Sequence, residues 1–285
     1  MTLLPDSALR AMTDDSTFRV IAVRTTETVR EVLERQKAEG ATASAFADLL
    51  TGAILIRETM APTQRVQAIL RRQGKGGSLV ADSHPSGGTR GLINLPKDEQ
   101  GFSFGSDTAL QVMRRLYDGS IHQGVTSVPE GGNVSEALMT YMRSSEQVDS
   151  MVAVGSVFEQ GNLVAAGGYL VQLLPGVGTA PLVFMNARIE EFGSLAPHLA
   201  ASGFAPRGLL ASLLEQIPYT ELEESSLRFE CWCSAERLLG ALATLPKSDI
   251  DEFIERGEVL EISCDYCHRE YQIPPAKLRG LQLTS

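Results

Sequence analysis

Apolar and polar positions along the first 178 residues alternate between two periods. Residues 16–24 (Ser-Thr-Phe-Arg-Val-Ile-Ala-Val-Arg) are rich in β-branched and aromatic side chains and predict a strand. Residues 28–37 are charged, with Val29, Val32 and Leu33 at helical spacing, which predicts a helix with one buried face. Residues 43–56 are apolar on all sides and predict a buried helix. Further strands are predicted at 65–72, 109–116, 121–128, 151–157 and 164–174, and a helix at 134–142. Pro175-Gly176-Val177-Gly178 closes this region. The mixture predicts an α+β fold that opens with an N-terminal α/β sheet domain over residues 1–178.

The pattern then changes. Residues 187–192 and 208–217 have helical spacing, with Leu209, Leu210, Leu213, Leu214 and Ile217 as an apolar stripe. Pro197, Pro206 and Pro218 cut the segment into pieces, and Glu221, Glu223 and Glu224 end it. Short helices of this kind are marginal alone, so residues 179–230 are expected to be a helical linker that needs a surface to rest on. Residues 231–285 form a third region. A helix is predicted from Ser234 to Leu245, with Leu238, Leu239, Leu242 and Leu245 on its apolar face, stopped by Pro246. Ser248 and Asp251 have capping-box spacing for a second helix, which points Ile250, Phe253 and Ile254 inward and ends at Gly257. A strand over 259–263 and its return over 271–273 predict a hairpin.

The net charge is −10, which argues against a nucleic-acid binder, since such proteins carry a basic face. The glycines of 74–77 and 86–91 do not match a phosphate loop, because Lys75 lacks the Ser/Thr that must follow it; they predict tight turns between strands. The N-terminus lacks the basic and apolar regions of a secretory signal, and the most apolar run, 49–56, is too short to span a bilayer. A soluble cytoplasmic protein is expected, without membrane partners. His84, His122 and His198 are scattered and form no catalytic pattern, so binding rather than catalysis is expected.

All four cysteines lie in the last region, as Cys231-Trp232-Cys233 and Cys264-Asp265-Tyr266-Cys267. In a reducing compartment such pairs are metal ligands or redox centres more often than permanent disulfides. Their spacing predicts one zinc ion held by Cys231, Cys233, Cys264 and Cys267. The apolar residues of 231–285 make a thin core, and a small domain of that kind needs a staple. Trp232 is expected to pack, His268 to be spare, and Asp265 and Glu270 to be solvated.

The stretches Phe229-Glu-Cys231-Trp-Cys233-Ser-Ala-Glu236-Arg237 and Glu258-Val-Leu-Glu-Ile262-Ser-Cys264-Asp-Tyr-Cys267-His-Arg-Glu-Tyr271 resemble the redox-regulated 33-kDa heat-shock chaperone family. The resemblance extends to Ser145-Glu146-Gln147, to residues 167–176 and, more loosely, to 89–96; residues 74–77 and Leu92 depart from the family pattern. It implies an ATP-independent holdase that is off when reduced and zinc-bound and on when oxidised, serving unfolded client proteins under oxidative stress. It further implies a homodimer when oxidised, with Cys231 paired to Cys233 and Cys264 to Cys267.

Elementary chemistry is consistent with such a switch. Thiolates are the form that oxidants attack, and a neighbouring thiol resolves a sulfenic acid into a disulfide. Losing the ion removes folding energy from 231–285, and the linker would then expose Leu209, Leu213 and Ile217 as a client surface. Two other classes compete: a structural zinc-ribbon that binds a partner or nucleic acid, and a thiol oxidoreductase using Cys264-x-x-Cys267. The first lacks a basic patch. The second normally places its motif at a helix start, whereas here it follows a strand.

Overall fold

The computed structural model describes residues 4–72, 77–97, 99, 101–116, 118–129 and 131–282. It divides into two compact units, Met1–Glu230 and Cys231–Ser285. In chain order the first holds β1 (Ser7–Thr13), β2 (Phe18–Arg24), α1 (Thr26–Gln36), α2 (Gly40–Glu58), β3 (Val66–Arg72), β4 (Ser78–Ser83), β5 (Gly88–Asn94), β6 (Thr108–Arg115), β7 (Ile121–Ser127), α3 (Val134–Ser144), β8 (Ser150–Glu159), β9 (Asn162–Leu173), α4 (Ala180–Phe192), α5 (Leu195–Ala200), α6 (Pro206–Leu213), β10 (Tyr219–Ser226) and β11 (Arg228–Phe229). The second holds α7 (Ala235–Leu242), α8 (Lys247–Arg256), β12 (Leu260–Ser263), β13 (Glu270–Ile273) and α9 (Pro275–Gln282). The α+β class matches the sequence expectation; of the expected 179–230 helical linker, α4, α5 and α6 occupy 180–213, and β10 and β11 take 219–226 and 228–229.

Two sheets build the first unit, in the orders β10-β1-β2-β9-β8 and β11-β5-β4-β3-β6-β7. The helix α2 contacts strands of both, which is why its sequence is apolar all round. Phe46, Leu49, Leu50, Ile54 and Leu55 are fully buried there, in one cluster with Ile21 and Val23 of β2 and Leu70 and Leu79 of the other sheet. The opposite face of the five-stranded sheet carries Phe18, Val20, Ala22, Tyr169 and Val171, and the helices α4, α5 and α6 cover it with Met185, Leu199, Leu209, Leu210 and Leu213. Both faces of β2 are therefore buried, which is why it reads as a continuous apolar run rather than an alternating one.

Several local expectations change. Residues 7–13 and 219–226 were not expected to be strands, yet β1 and β10 pair antiparallel from Ser7↔Ser226 to Thr13↔Tyr219. The acidic run of β10 is tolerated because Arg10 meets Glu223 at 2.7 Å, Arg207 meets Glu221 at 2.7 Å, and Ser7 Oγ donates to Glu224 at 2.8 Å. Residues 88–91 are strand rather than turn: the turn ends at Gly87, whose φ is +83°. Gly91 is there for space, since a Cβ would fall 2.5 Å from Phe46 Cζ of α2. Of the 74–77 glycine run only Gly77 lies within the described residues. In the second unit α8 is preceded by Pro246 at its cap without a side-chain cap bond, and Ser248 lies inside the helix, so the anticipated capping box does not form.

Mid-way along α2 the carboxylate of Asp48 interrupts the apolar surface. Ser156 Oγ of β8 donates to Asp48 at 2.9 Å. Burial outweighs that bond and lifts the Asp48 carboxyl from 3.8 to about 6. The folded chain then binds this proton more tightly than the unfolded chain, so the contribution to stability falls as pH rises from 3.8 towards 6. Asp48→Asn keeps a partner for Ser156 and removes the titration. Urea unfolding is expected to find the variant more stable than the parent above pH 6, with the gap closing as pH falls towards 3.8. A gap that stays constant across that range would rule the assignment out.

Candidate metal centre

After β11 the chain passes through Cys231-Trp232-Cys233 in extended form and turns into α7 at Ser234. Ser234 caps that helix: its Oγ accepts from the Arg237 N–H at 3.3 Å. This fixes the chain one residue after Cys233. The second pair lies in the turn of the β12–β13 hairpin, whose register runs from Leu260↔Ile273 to Ser263↔Glu270. The turn is closed by Cys264 N–H donating to Arg269 O at 3.0 Å and His268 N–H donating to Cys264 O at 2.7 Å. His268 takes the left-handed conformation at φ +56° and is exposed, whereas Cys264 and Cys267 of the same turn are buried.

The four sulfurs lie within 4.8 Å of one another. Cys231 Sγ is 3.8 Å from Cys264 Sγ, and Cys233 Sγ is 3.4 Å from Cys267 Sγ. A tetrahedral ion with metal–sulfur bonds of about 2.3 Å sets its sulfurs about 3.8 Å apart, so the four cysteines are positioned to hold a metal ion. Cys264 and Cys267 are buried and Cys231 and Cys233 half-buried. Among the described residues this is the one group of His, Cys, Asp and Glu side chains placed for a metal.

The electrostatics of the protein alone are divided. Burial pushes the Cys267 thiol up to about 12 and raises that of Cys264. At Cys233 burial is outweighed by hydrogen bonds from Tyr271 and the neighbouring thiols, which bring it down to about 7. Four sulfurs this close cannot all carry charge unless a cation neutralises them. The Tyr271 hydroxyl donates to Cys233 Sγ at 3.0 Å, an interaction the sequence reading missed. The available signal was the position of Tyr271 on the strand that leaves the Cys264–Cys267 turn.

The remaining sequence candidates are spread out. His84 bonds Ser86 at 2.9 Å, His122 accepts from Arg114 at 3.3 Å, and His198 stacks on Phe192 at 4.1 Å, all in the first unit. Trp232 is half-buried, and Asp265, His268 and Glu270 are exposed. Leu209 and Leu213 are buried under the five-stranded sheet, and Ile217 packs half-buried at the margin of that cluster.

The model of a single family, described as Hsp33 protein, matches residues 6–274. The chain belongs to the Hsp33 family. Its curated relatives include the 33 kDa chaperonin of Syntrophotalea carbinolica, 30% identical over 288 residues that cover 98% of this chain and 99% of the relative. The 33 kDa chaperonin of Latilactobacillus sakei is 27% identical over 292 residues, covering 98% and 99%. The crystal structure of the 33 kDa chaperonin of Thermotoga maritima shares the fold with a TM-score of 0.81 at 21% identity, covering 99% of both chains. This Hsp33 chain is thus a member of a chaperone family with a four-cysteine cluster suited to a metal and redox centre. Among its described residues no helix is long and apolar enough to cross a membrane.

Proposed function

We propose that the protein is a redox-regulated, ATP-independent holdase of the cytoplasm, which protects unfolded proteins from aggregation when its four-cysteine centre is oxidised. The observation that carries this reading is the meeting of four thiols within 4.8 Å in a unit whose apolar cluster has, among the described residues, three buried members, Ile250, Ile273 and Leu278. A core that thin depends on its cross-link. Zinc is the ion this all-thiolate donor set suits best; when bound it keeps the sulfurs as thiolates and staples the hairpin to the segment before α7.

Oxidation then removes the staple. In each pair two thiols lose two electrons and two protons to form a disulfide, and one hydrogen peroxide is reduced to two waters. Cys231 pairs with Cys233 and Cys264 with Cys267, so each disulfide stays within its own motif and the link between motifs is lost. Residues 179–230 act as the responding linker. Lifting α6 from the five-stranded sheet uncovers Leu209 and Leu213 and frees Ile217, giving an apolar surface for clients. The oxidised form works as a homodimer. Binding, not turnover, is the activity.

Zinc content, free thiols and aggregation of a heat-unfolded client, followed together during peroxide treatment, check this reading. The expected result is loss of the ion, loss of four thiols and onset of protection in step, all reversed by a dithiol and zinc. Protection that is absent after full oxidation, or already complete in the reduced protein, would overturn it. The competing reading, a permanent structural site serving nucleic acid, predicts salt-dependent RNA or DNA binding. The net charge of −10 weighs against it.

A further inference from the structure

The six-stranded sheet ends at β7, which among the described residues pairs with β6 alone. Val128 N–H donates to Thr108 O at 2.9 Å and Leu116 N–H to Ser120 O at 2.8 Å, at the two ends of an unbroken register. Antiparallel pairs alternate between bonded and non-bonded. The phase set by those two bonds gives His122, Gly124 and Thr126 to the β6 ladder. Ile121, Gln123, Val125 and Ser127 are left aiming their N–H and C=O groups off the sheet. Those same four residues are exposed, Ile121 at 69% and Val125 at 48%.

Natural sheets guard such edges with charge, proline, bulges or a covering element. The other sheet of this unit does so: β10 is a row of glutamates, and β8 carries a bulge at Val157/Phe158 with α5 against it, while α3 packs on both β8 and β7. The sequence of β7, Ile-His-Gln-Gly-Val-Thr-Ser, has no carboxylate, lysine, arginine or proline. One hollow borders the strand, and a second lies on α3 beyond the end of the strand. The first, of about 450 Å³, is lined by Arg65, Gln67, Met113, Arg114, Arg115 and Ile121. The other, about 320 Å³, is lined by Pro129, Met139 and Arg143 beside the chain leaving β7. In the first hollow Asp82 engages Arg65 and Glu146 engages Arg114 at 2.9 Å, while Arg115 is exposed and has no carboxylate partner among the described residues.

We propose that the β7 edge is a strand-addition site for an extended polypeptide segment bearing an acidic side chain that sits over Arg115. The outward backbone groups of Ile121, Gln123, Val125 and Ser127 supply the hydrogen bonds, and the hollow at Ile121 receives a side chain. This site goes beyond the redox reading, because the edge is open while Leu209 and Leu213 are still buried.

The test is fluorescence anisotropy of a labelled peptide of alternating valine and threonine with one central glutamate, titrated with the reduced, zinc-loaded full chain. Saturable binding is expected. Val125→Pro deletes one outward donor, leaves the ladder to β6 intact and suits an edge strand, so it is expected to weaken binding about tenfold, as for one lost hydrogen bond. Arg115→Glu is expected to weaken the glutamate peptide and strengthen its lysine counterpart. If Val125→Pro loses the native circular dichroism, Gln123→Pro removes the next outward donor and takes its place. Absent saturable binding by the parent chain, or parent-like affinity in the natively folded proline and Arg115→Glu variants, would overturn the proposal. So would sedimentation showing a dimer that the proline variant abolishes, since the occupant would then be a second copy. Each readout is taken on the reduced protein, so failure here leaves oxidant-triggered protection standing, and the converse holds.

Discussion

Cys264→Ser is expected to leave residues 231–285 unfolded in the reduced protein while the first unit keeps its structure. A structural four-thiolate zinc site contributes about 10–16 kcal/mol of apparent folding free energy. The apolar alternative is small: among the described residues Ile250, Ile273 and Leu278 are the buried members of that cluster, each stabilising by at most about 1.5–3 kcal/mol. The serine hydroxyl does not replace a thiolate ligand, and Cys264 also belongs to the turn that joins β12 to β13. Hydrogen exchange read by mass spectrometry checks the result. Amides of α7, α8 and the hairpin are expected to exchange without protection, and those of α2 and β2 as in the parent chain. Chelation of the parent protein is expected to give the same map. Protected amides in the hairpin after chelation would show that the unit stands on its packing, and the switch would lose its driving force.

Glu58→Ala is expected to cost the first unit about 3–5 kcal/mol, the size associated with orphaning the partners of a buried ion pair. Glu58 is fully buried at the end of α2, where it meets Arg57 and Arg10 and accepts from Ser225 Oγ at 3.1 Å. Arg10 in turn reaches Glu223 at 2.7 Å. One carboxylate therefore ties α2 to both β1 and β10. Glu223→Ala is the contrast: its side chain is 68% exposed, and loss of a solvent-exposed ion pair costs under about 1 kcal/mol. Urea unfolding of the two variants checks the difference. Equal losses would mean that the buried network does not hold β10, and oxidant-driven release of residues 179–230 would need another restraint to overcome.

Much of the chemistry was legible because it is local. Two cysteine pairs, a helix opening after the first and a strand before the second are set by neighbours in sequence, and α7 and the β12–β13 turn form as the residues suggest. The buried helix α2 was legible because apolar side chains on every face leave water no favourable side. The strands β1 and β10 were not. Their residues alternate poorly, with Arg10 in one and glutamates in the other, and each becomes a strand because the partner supplies the ladder and the opposite charge. Gly88 to Gly91 looked like a turn because glycine is permissive. At Gly91 the reason is the Phe46 ring 2.5 Å from where a Cβ would be, a contact with a residue far away in the chain.

The sequence by itself determined the α+β class, the clustering of all four thiols in one short segment and the family. The first two follow from periodicity and spacing, and the family from a resemblance in the residues around the four cysteines. Only the tertiary structure decided that the four sulfurs converge within 4.8 Å, that Leu209 and Leu213 lie under a sheet rather than in solvent, and that β7 ends the six-stranded sheet. Convergence, burial and edge position depend on which distant segments pair. That is set by the summed packing and hydrogen bonding of the whole fold, which no local window contains.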